Sequence, residues 1–489
     1  MRDKNEQEKS TTVTSNVLWR LGERLGAQGV SFVVSIVLAR LLSPEHYGIV
    51  SLVTVFNSIL SVFVQSGLGS ALIQRSDVDE LDYSTVFCFN LGISIVLYAG
   101  MFFFAPTLSR FYEQPEMTPV VRVLSLTLLM GGINAVQQAR VSRRMEFKLF
   151  FKATLIGTIF SAFVGVGMAV AGLGVWALVG QILSNQLIDT IILWMTIDWK
   201  PSFRFSVKRF KPLYRFGWRV FASGLLDTLY KNLRSLLIGK IYSEEDLAYN
   251  NRGNHVPELI ITNVNTSIQS VIFPAYTRCG GDRQKILLLM RKAVRLSSFL
   301  IFPCMVGIAV VSEPLVCVLY TEKWLPAVFY MQVSCFSYAL WPLHTTNLQA
   351  ILAVGRSDIY LRLEIIKKVV TVIVLVICVQ ISLEAMVLSA VPLGIFSLIV
   401  NAFPSRSLIG YSFRGQIFDI LPALVMSAVM GVAVYLLGMV SFDSMFVKLV
   451  AQVLLGVLVY AGMAWITKNA EFKYVWNYAK RFLARLRHR

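Results

Sequence analysis

Fourteen apolar runs, each long enough to cross a bilayer as a helix, follow one another along this chain. A hydrocarbon core about 30 Å thick needs roughly 20 apolar residues in a helix, and it tolerates no irregular backbone facing lipid. Read by that rule, spans fall near 16–39, 47–69, 83–105, 118–138, 150–171, 173–196 and 214–239. They continue near 248–274, 293–318, 327–353, 359–381, 383–403, 417–439 and 445–467. The expected fold is all-α and integral to a membrane, with about fourteen transmembrane helices. Only 15% of the 489 residues are charged, where a soluble chain carries about 25%. The mean hydropathy of +0.63 leaves too little polar surface to face water all round.

The charges that remain are placed between the spans. Loops such as ARVSRRMEFK (139–148), DWKPSFRFSVKRFKPLYR (198–215) and TRCGGDRQK (277–285) are rich in Lys and Arg, as is the tail AKRFLARLRHR (479–489). The intervening loops carry few: Arg40, Arg110, Lys240 and Lys323 are nearly all their basic residues. The positive-inside rule puts the loaded loops and both ends in the cytoplasm. A net charge of +18 thus reads as a topology signal and an attraction to anionic phospholipids, not as a nucleic-acid site. Phe203, Phe205 and Phe210 stand among Lys200, Arg204, Lys208, Arg209 and Lys211. That stretch is expected to lie on the cytoplasmic leaflet.

Catalytic chemistry finds no foothold. Six scattered cysteines form no CxxC or Cys/His cluster, so neither a disulfide framework nor a metal site is expected. Walker A, HExxH and GxSxG patterns are missing, which predicts neither an enzyme nor a resident cofactor. The polar first fifteen residues predict no cleavable leader.

The chain also repeats itself. LWRLG (18–22) matches GWRVF (217–221), and LARLLSPEHY (38–47) matches IGKIYSEEDL (238–247). Further on, ALIQR (71–75) corresponds to AYTR (275–278) and APTLSRFY (105–112) to SEPLVCVLY (312–320), at an offset of about 200 to 208 residues. Each repeat holds six spans, so both halves enter the membrane in the same direction, as in transporters built from parallel repeats. The expected organisation is an N-terminal lobe (1–197), a basic linker (198–213), a C-terminal lobe (214–405) and a final pair of spans with the tail (406–489).

Charges inside spans are costly, at least about 2.5–3.5 kcal/mol near the bilayer centre on insertion scales. The first span carries Arg20, Glu23 and Arg24; the equivalent seventh carries Arg219, Asp227, Lys231 and Arg234. At 100° per residue the four in the seventh span fall within an arc of about 120°. Such a face is expected to line a water-filled cavity, with Glu23 and Asp227 compensating charge or coupling an ion. Its positive balance suits an anionic cargo, phosphate or pyrophosphate above all. Snorkelling of Arg20 and Arg24 to headgroups is the alternative. Asn134, Asn185, Asp189, Asn263, Asn265 and His344 either line the same path or bond neighbouring helices.

The run WRLGERLGAQGVSFVVSIVLARLLSPEHYGIVSLVTVF (19–56), with QSGLGSALIQR (65–75) and RVSRRMEFK (140–148), resembles bacterial polysaccharide exporters. These are the Wzx-type oligosaccharide flippases of the multidrug/oligosaccharidyl-lipid/polysaccharide superfamily, in the branch of the colanic acid and teichuronic acid exporters. The resemblance implies a bacterial inner-membrane flippase that moves an undecaprenyl-pyrophosphate-linked oligosaccharide by alternating access, beside polysaccharide polymerase and glycosyltransferases. Arg20, Arg24, Arg219, Lys231 and Arg234 are placed to suit its cationic cavity. Three rivals remain at this stage: a cation-coupled multidrug exporter of the same superfamily, a flippase for a lipid-linked peptidoglycan precursor, and a membrane glycosyltransferase or polymerase.

Overall fold

The computed structural model describes residues 26, 28–75, 77–144, 146–279 and 282–487. Among these, every regular element is a helix. Packing divides the chain into two units, residues 1–248 and 249–489. The first holds α1 (Gln28–Leu41), α2 (Pro44–Gln65), α3 (Leu68–Gln74), α4 (Glu80–Tyr112) and α5 (Met117–Leu124). It continues with α6 (Leu126–Arg144), α7 (Phe147–Val170), α8 (Val175–Thr196) and α9 (Val207–Ile241). Helix α10 (Glu244–Thr277) runs across the boundary. The second unit continues with α11 (Arg283–Val310), α12 (Ser312–Tyr320), α13 (Ala327–Ala339), α14 (Trp341–Ala353) and α15 (Ser357–Cys378). It closes with α16 (Leu383–Leu388), α17 (Ala390–Ile409), α18 (Phe413–Gly438), α19 (Met445–Ile466) and α20 (Ala470–Arg487).

Among the described residues, nine helical stretches are long and apolar enough to cross a membrane: α2, α4, α5 with α6, α7, α8, α11, α16 with α17, α18 and α19. The other five expected spans are helical too. Helices α9 and α15 carry too many charges to qualify, α10 is made too polar by its Asn, Gln, Ser and Thr residues, α13 and α14 are broken at Leu340, and the described part of α1 is short.

The repeat is legible in the turns. Helix α1 ends at Leu41 and α2 starts at Pro44; α9 ends at Ile241 and α10 starts at Glu244, the same break 200 residues on. A serine precedes each second helix. Ser43 bonds His46 Nδ1 at 3.0 Å, and Ser243 Oγ accepts the Asp246 N–H at 3.0 Å, capping an otherwise unpaired first turn. Helices α4 and α12 both stop at a residue in the left-handed region, Glu113 (φ 60°) and Thr321 (φ 80°).

In the first unit, α7 and α8 form a tight antiparallel pair. A Cβ on Gly165 would sit 2.9 Å from Gln181 Cβ, and one on Gly180 would overlap Met168 Sδ. Lipid tails are as apolar as leucine, so close approach of small residues supplies the attraction that burial supplies in water.

The basic linker is docked rather than loose. Trp199 is 2% exposed and rests 6.0 Å from the rings of both Tyr83 and Phe87. Its carbonyl accepts from Gln137 Nε2 at 3.2 Å, the Ser202 hydroxyl bonds Ser84 Oγ at 2.9 Å, and the Ser206 N–H donates to Thr85 Oγ1 at 3.2 Å. Arg209 then reaches Asp79 at 2.7 Å. The Asp82 backbone N–H, with Arg209 adding to it, holds the Asp79 carboxyl below the usual carboxylate range. Trp199→Ala should destabilise the first unit by about 3 kcal/mol and open the linker to trypsin at Arg204, Lys208 or Arg209. Limited proteolysis of purified protein checks this, and an unchanged digestion pattern would refute the docking.

Candidate functional site

Helix α9 lies antiparallel along α2 for most of its length. At one end the backbones of Gly217 and Gly67 touch: a Cβ on Gly217 would stand 3.1 Å from Ser66 O, and one on Gly67 would overlap the Gly217 carbonyl. Further along, the Phe221 and Phe63 rings meet at 4.9 Å and Gly224 faces Val62. Asn232 Nδ2 then donates to Ser58 Oγ at 3.3 Å, and Gly239 admits Leu52. Lys240 closes the far end by donating to the Phe111 carbonyl, with its ammonium 4.3 Å from the centre of that ring. At 100° per residue, Gly217, Phe221, Gly224, Asn232 and Gly239 fall within about 80° of arc. The arc of Arg219, Asp227, Lys231 and Arg234 adjoins that stripe.

The cationic face is exposed. Lys231 Nζ stands 2.7 Å from Asp227 Oδ2, one turn away on the same helix, with the lysine side chain 71% exposed and the aspartate 44%. Arg219 is exposed and Arg234 half-buried. An i,i+4 pair in contact with solvent contributes only about 0.3–0.5 kcal/mol. Asp227 thus compensates Lys231 in part while both side chains stay exposed.

Beside the α2–α9 seam runs a groove of mixed lining. A cavity of about 300 Å³ has polar walls from Asn57, Ser58, Ser61 and Gln65 of α2, Thr127 and Gln138 of α6, and Gln186 of α8, and apolar walls from residues such as Val64, Leu128 and Ile182. A second, of about 450 Å³, shares Gln138 and Gln186 and adds Asn134, Gln181, Asn185 and Asp189. Asn232, which follows Lys231 in the chain, bonds Ser58 in the wall of the first cavity. Asn232 thus reaches the wall of the first cavity, while the cations lie on the adjoining arc of α9. A cavity of about 450 Å³ in the second unit is by contrast almost wholly apolar, lined by residues such as Leu300, Pro303, Val453 and Val457.

The sequence-predicted residues divide accordingly. Arg20, Glu23 and Arg24 lie outside the described residues. Asn134, Asn185 and Asp189 meet at one cavity in the first unit. His344 belongs to the second unit, where its Nδ1 is 3.3 Å from Asn401 Nδ2. Asn263 Nδ2 donates to the Leu259 carbonyl at 2.8 Å, within its own helix.

Sequence reasoning missed one charged cluster. Asp419, its side chain 3% exposed, receives Arg291 Nε at 2.7 Å, Arg295 Nε at 2.8 Å and the Tyr411 hydroxyl at 2.7 Å. The available signal was a single acid inside the apolar run of span thirteen and two arginines four residues apart around the start of span nine.

Residues 37–329 match the family described as "Polysaccharide biosynthesis protein". The succinoglycan biosynthesis transport protein ExoT of Rhizobium meliloti (strain 1021) is 26% identical over 435 residues, which cover 88% of this chain and 86% of that one. The lipopolysaccharide biosynthesis protein WzxC of Escherichia coli (strain K12) is 23% identical over 419 residues, 83% of this chain and 84% of that one. Among solved structures, the lipid II flippase MurJ in an inward closed conformation aligns with a TM-score of 0.76 at 16% identity, covering 92% of this chain and 98% of its own. That likeness establishes a shared fold.

Proposed function

Because the chain belongs to the polysaccharide biosynthesis protein family, we propose that it flips a lipid-linked oligosaccharide across the bacterial inner membrane for surface polysaccharide assembly. The observation that carries this reading is the cationic arc of α9, a helix whose Asn232 reaches the wall of a cavity lined in part by amides and hydroxyls. Pyrophosphate is recognised by Arg and Lys donors. Sugar hydroxyls need paired donors and acceptors, which Asn, Gln and Ser side chains supply. An oligosaccharide on undecaprenyl pyrophosphate carries both groups.

In this scheme the pyrophosphate is held by Arg219, Lys231 and Arg234, with Arg20 and Arg24 from the first span, while Glu23 and Asp227 balance their charge. The protein is a carrier, not an enzyme: no bond is made or broken, and alternating access moves the headgroup between leaflets. The lobes that rock are residues 1–197 and 214–405, joined by the linker 198–213, with 406–489 appended. The loop charges support cytoplasmic termini. Polymerase and glycosyltransferases are the natural neighbours on the supply and receiving sides, and anionic phospholipids attract the basic linker and tail.

The test is flipping of defined undecaprenyl-pyrophosphate-linked sugars by purified protein in vesicles. Lys231→Ala and Arg234→Ala should each slow it by at least about tenfold, as expected when a charged hydrogen bond to phosphate is removed, with membrane insertion intact. Wild-type rates in both variants would remove α9 from the site. Transport of organic cations without transport of the lipid-linked sugar would replace the proposal with the drug-exporter alternative.

A further inference from the structure

We infer that Arg291, Lys292 and Arg295 of α11, braced by Asp419 of α18, form a binding site for the phosphate of an anionic phospholipid headgroup at the cytoplasmic end of the second unit. The occupant is a resident lipid, not a transported one, and the inference does not depend on flipping.

Depth comes first. From Leu296 to Val310 α11 carries no charged residue, and neither does α18 from Ile420 to Gly438. Arg291, Arg295 and Asp419 are therefore the last charged groups before the hydrocarbon on two helices that pack side by side. The basic segment TRCGGDRQK (277–285) leads into α11, and Arg406 and Arg414 flank the start of α18. By the positive-inside rule this end belongs to the cytoplasmic leaflet, where anionic lipids gather.

The geometry leaves donors over. Asp419 is buried and accepts from both arginines, each through Nε and Nη2, and from the Tyr411 hydroxyl. A guanidinium carries five N–H groups, so these bonds leave most of each fork unused. Nη1 of each arginine has no acceptor among the described residues, and both side chains are exposed. Lys292 is exposed beside them, its ammonium 4.8 Å from the centre of the Tyr474 ring of α20. At 100° per residue the three cations fall within about 100° of arc. The exposed Leu288 falls inside the same arc, which thus faces away from the helix bundle.

The chemistry of that arc selects its occupant. Three cations face one carboxylate, so positive charge remains uncompensated at the level of the headgroups. Arginine forks match phosphate oxygens bidentately. Asp419 already holds the two forks one turn apart, which reduces the freedom lost when a ligand is bound. Inorganic phosphate would meet the cations but not the leucine. A phospholipid meets both, with its phosphate on the forks and its acyl chains along the apolar side chain.

Native mass spectrometry of the full-length purified protein tests this, in detergent supplemented with dioleoyl phosphatidylglycerol or dioleoyl phosphatidylcholine. Wild type should retain phosphatidylglycerol in preference to phosphatidylcholine, and should melt at a higher temperature in its presence. The variant combining Asp419→Leu, Arg291→Met and Arg295→Met leaves no buried charge unpaired and should hold at least one phosphatidylglycerol fewer. Lys292→Ala should weaken retention about fivefold, the share of one basic residue in attraction to an anionic surface. That position is exposed, so Lys292→Ala serves alone if the triple variant fails to elute as folded protein. Three results would overturn the inference: equal retention of the two lipids by wild type, undiminished phosphatidylglycerol in folded variants, or stabilisation by inorganic phosphate equal to that by phosphatidylglycerol. Because bound phospholipid is counted directly, a failure of flipping leaves this outcome untouched.

Discussion

One added methyl at Gly67 should lower the stability of the first unit by about 4 kcal/mol, an overpacking term together with left-handed backbone strain. Gly67 sits at φ +66°, where a Cβ is disfavoured, and that Cβ would overlap the Gly217 carbonyl of α9. The oxygen cannot move alone, because it belongs to a helix seated along α2. Gly69→Ala is the matched control. The nearest atom to its new Cβ is Ala139 Cβ at 3.9 Å, an ordinary contact, and its effect should be within about 1 kcal/mol. Thermal unfolding in detergent measures both. Equal melting temperatures for the two variants would mean that the α3–α9 backbone contact does not form.

The second large effect is expected at Asp419. Asp419→Leu should destabilise the second unit by about 3 kcal/mol, the usual loss when one member of a buried ion pair is removed. The reason is the stoichiometry. One buried carboxylate serves two guanidinium groups and a tyrosine hydroxyl, so its loss leaves Arg291 and Arg295 repelling each other across one turn. Their side chains are 44% exposed, and water softens that repulsion. Replacing both arginines along with the acid should therefore repair the defect. Combining Asp419→Leu with Arg291→Met and Arg295→Met is expected to regain most of the lost stability, and a triple variant less stable than Asp419→Leu alone would refute the ion-pair account.

Much of the fold could be read in one dimension. Span length and loop charge are properties of contiguous residues, and the repeated break before Ser43 and Ser243 is a short local pattern. What sequence could not supply was partnership across distance. Arg291 and Arg295 lie 128 and 124 residues from Asp419, so nothing in span thirteen names its partners. Trp199 stands among lysines and arginines, and its burial depends on hydroxyls at Ser84 and Thr85, more than a hundred residues earlier. The groove was half visible. Asn134, Asn185 and Asp189 stood out as polar residues in apolar runs, but the directions of their donors depend on Thr158, Ser161 and Thr190, which read as ordinary small residues.

The docked linker has a mechanical consequence. Trp199, Ser202, Ser206 and Arg209 pin the chain just ahead of α9, and Gly217 then meets Gly67 backbone to backbone. The far end of the helix is held as well: Ile238 and Gly239 are buried, Leu52 fills the space over Gly239, and Lys240 donates to the Phe111 carbonyl. A helix fastened at both ends over about 36 Å, at 1.5 Å per residue, behaves as a rod splinted to α2. Arg219, Lys231 and Arg234 therefore keep their spacing and shift together, carried by whatever motion α2 makes.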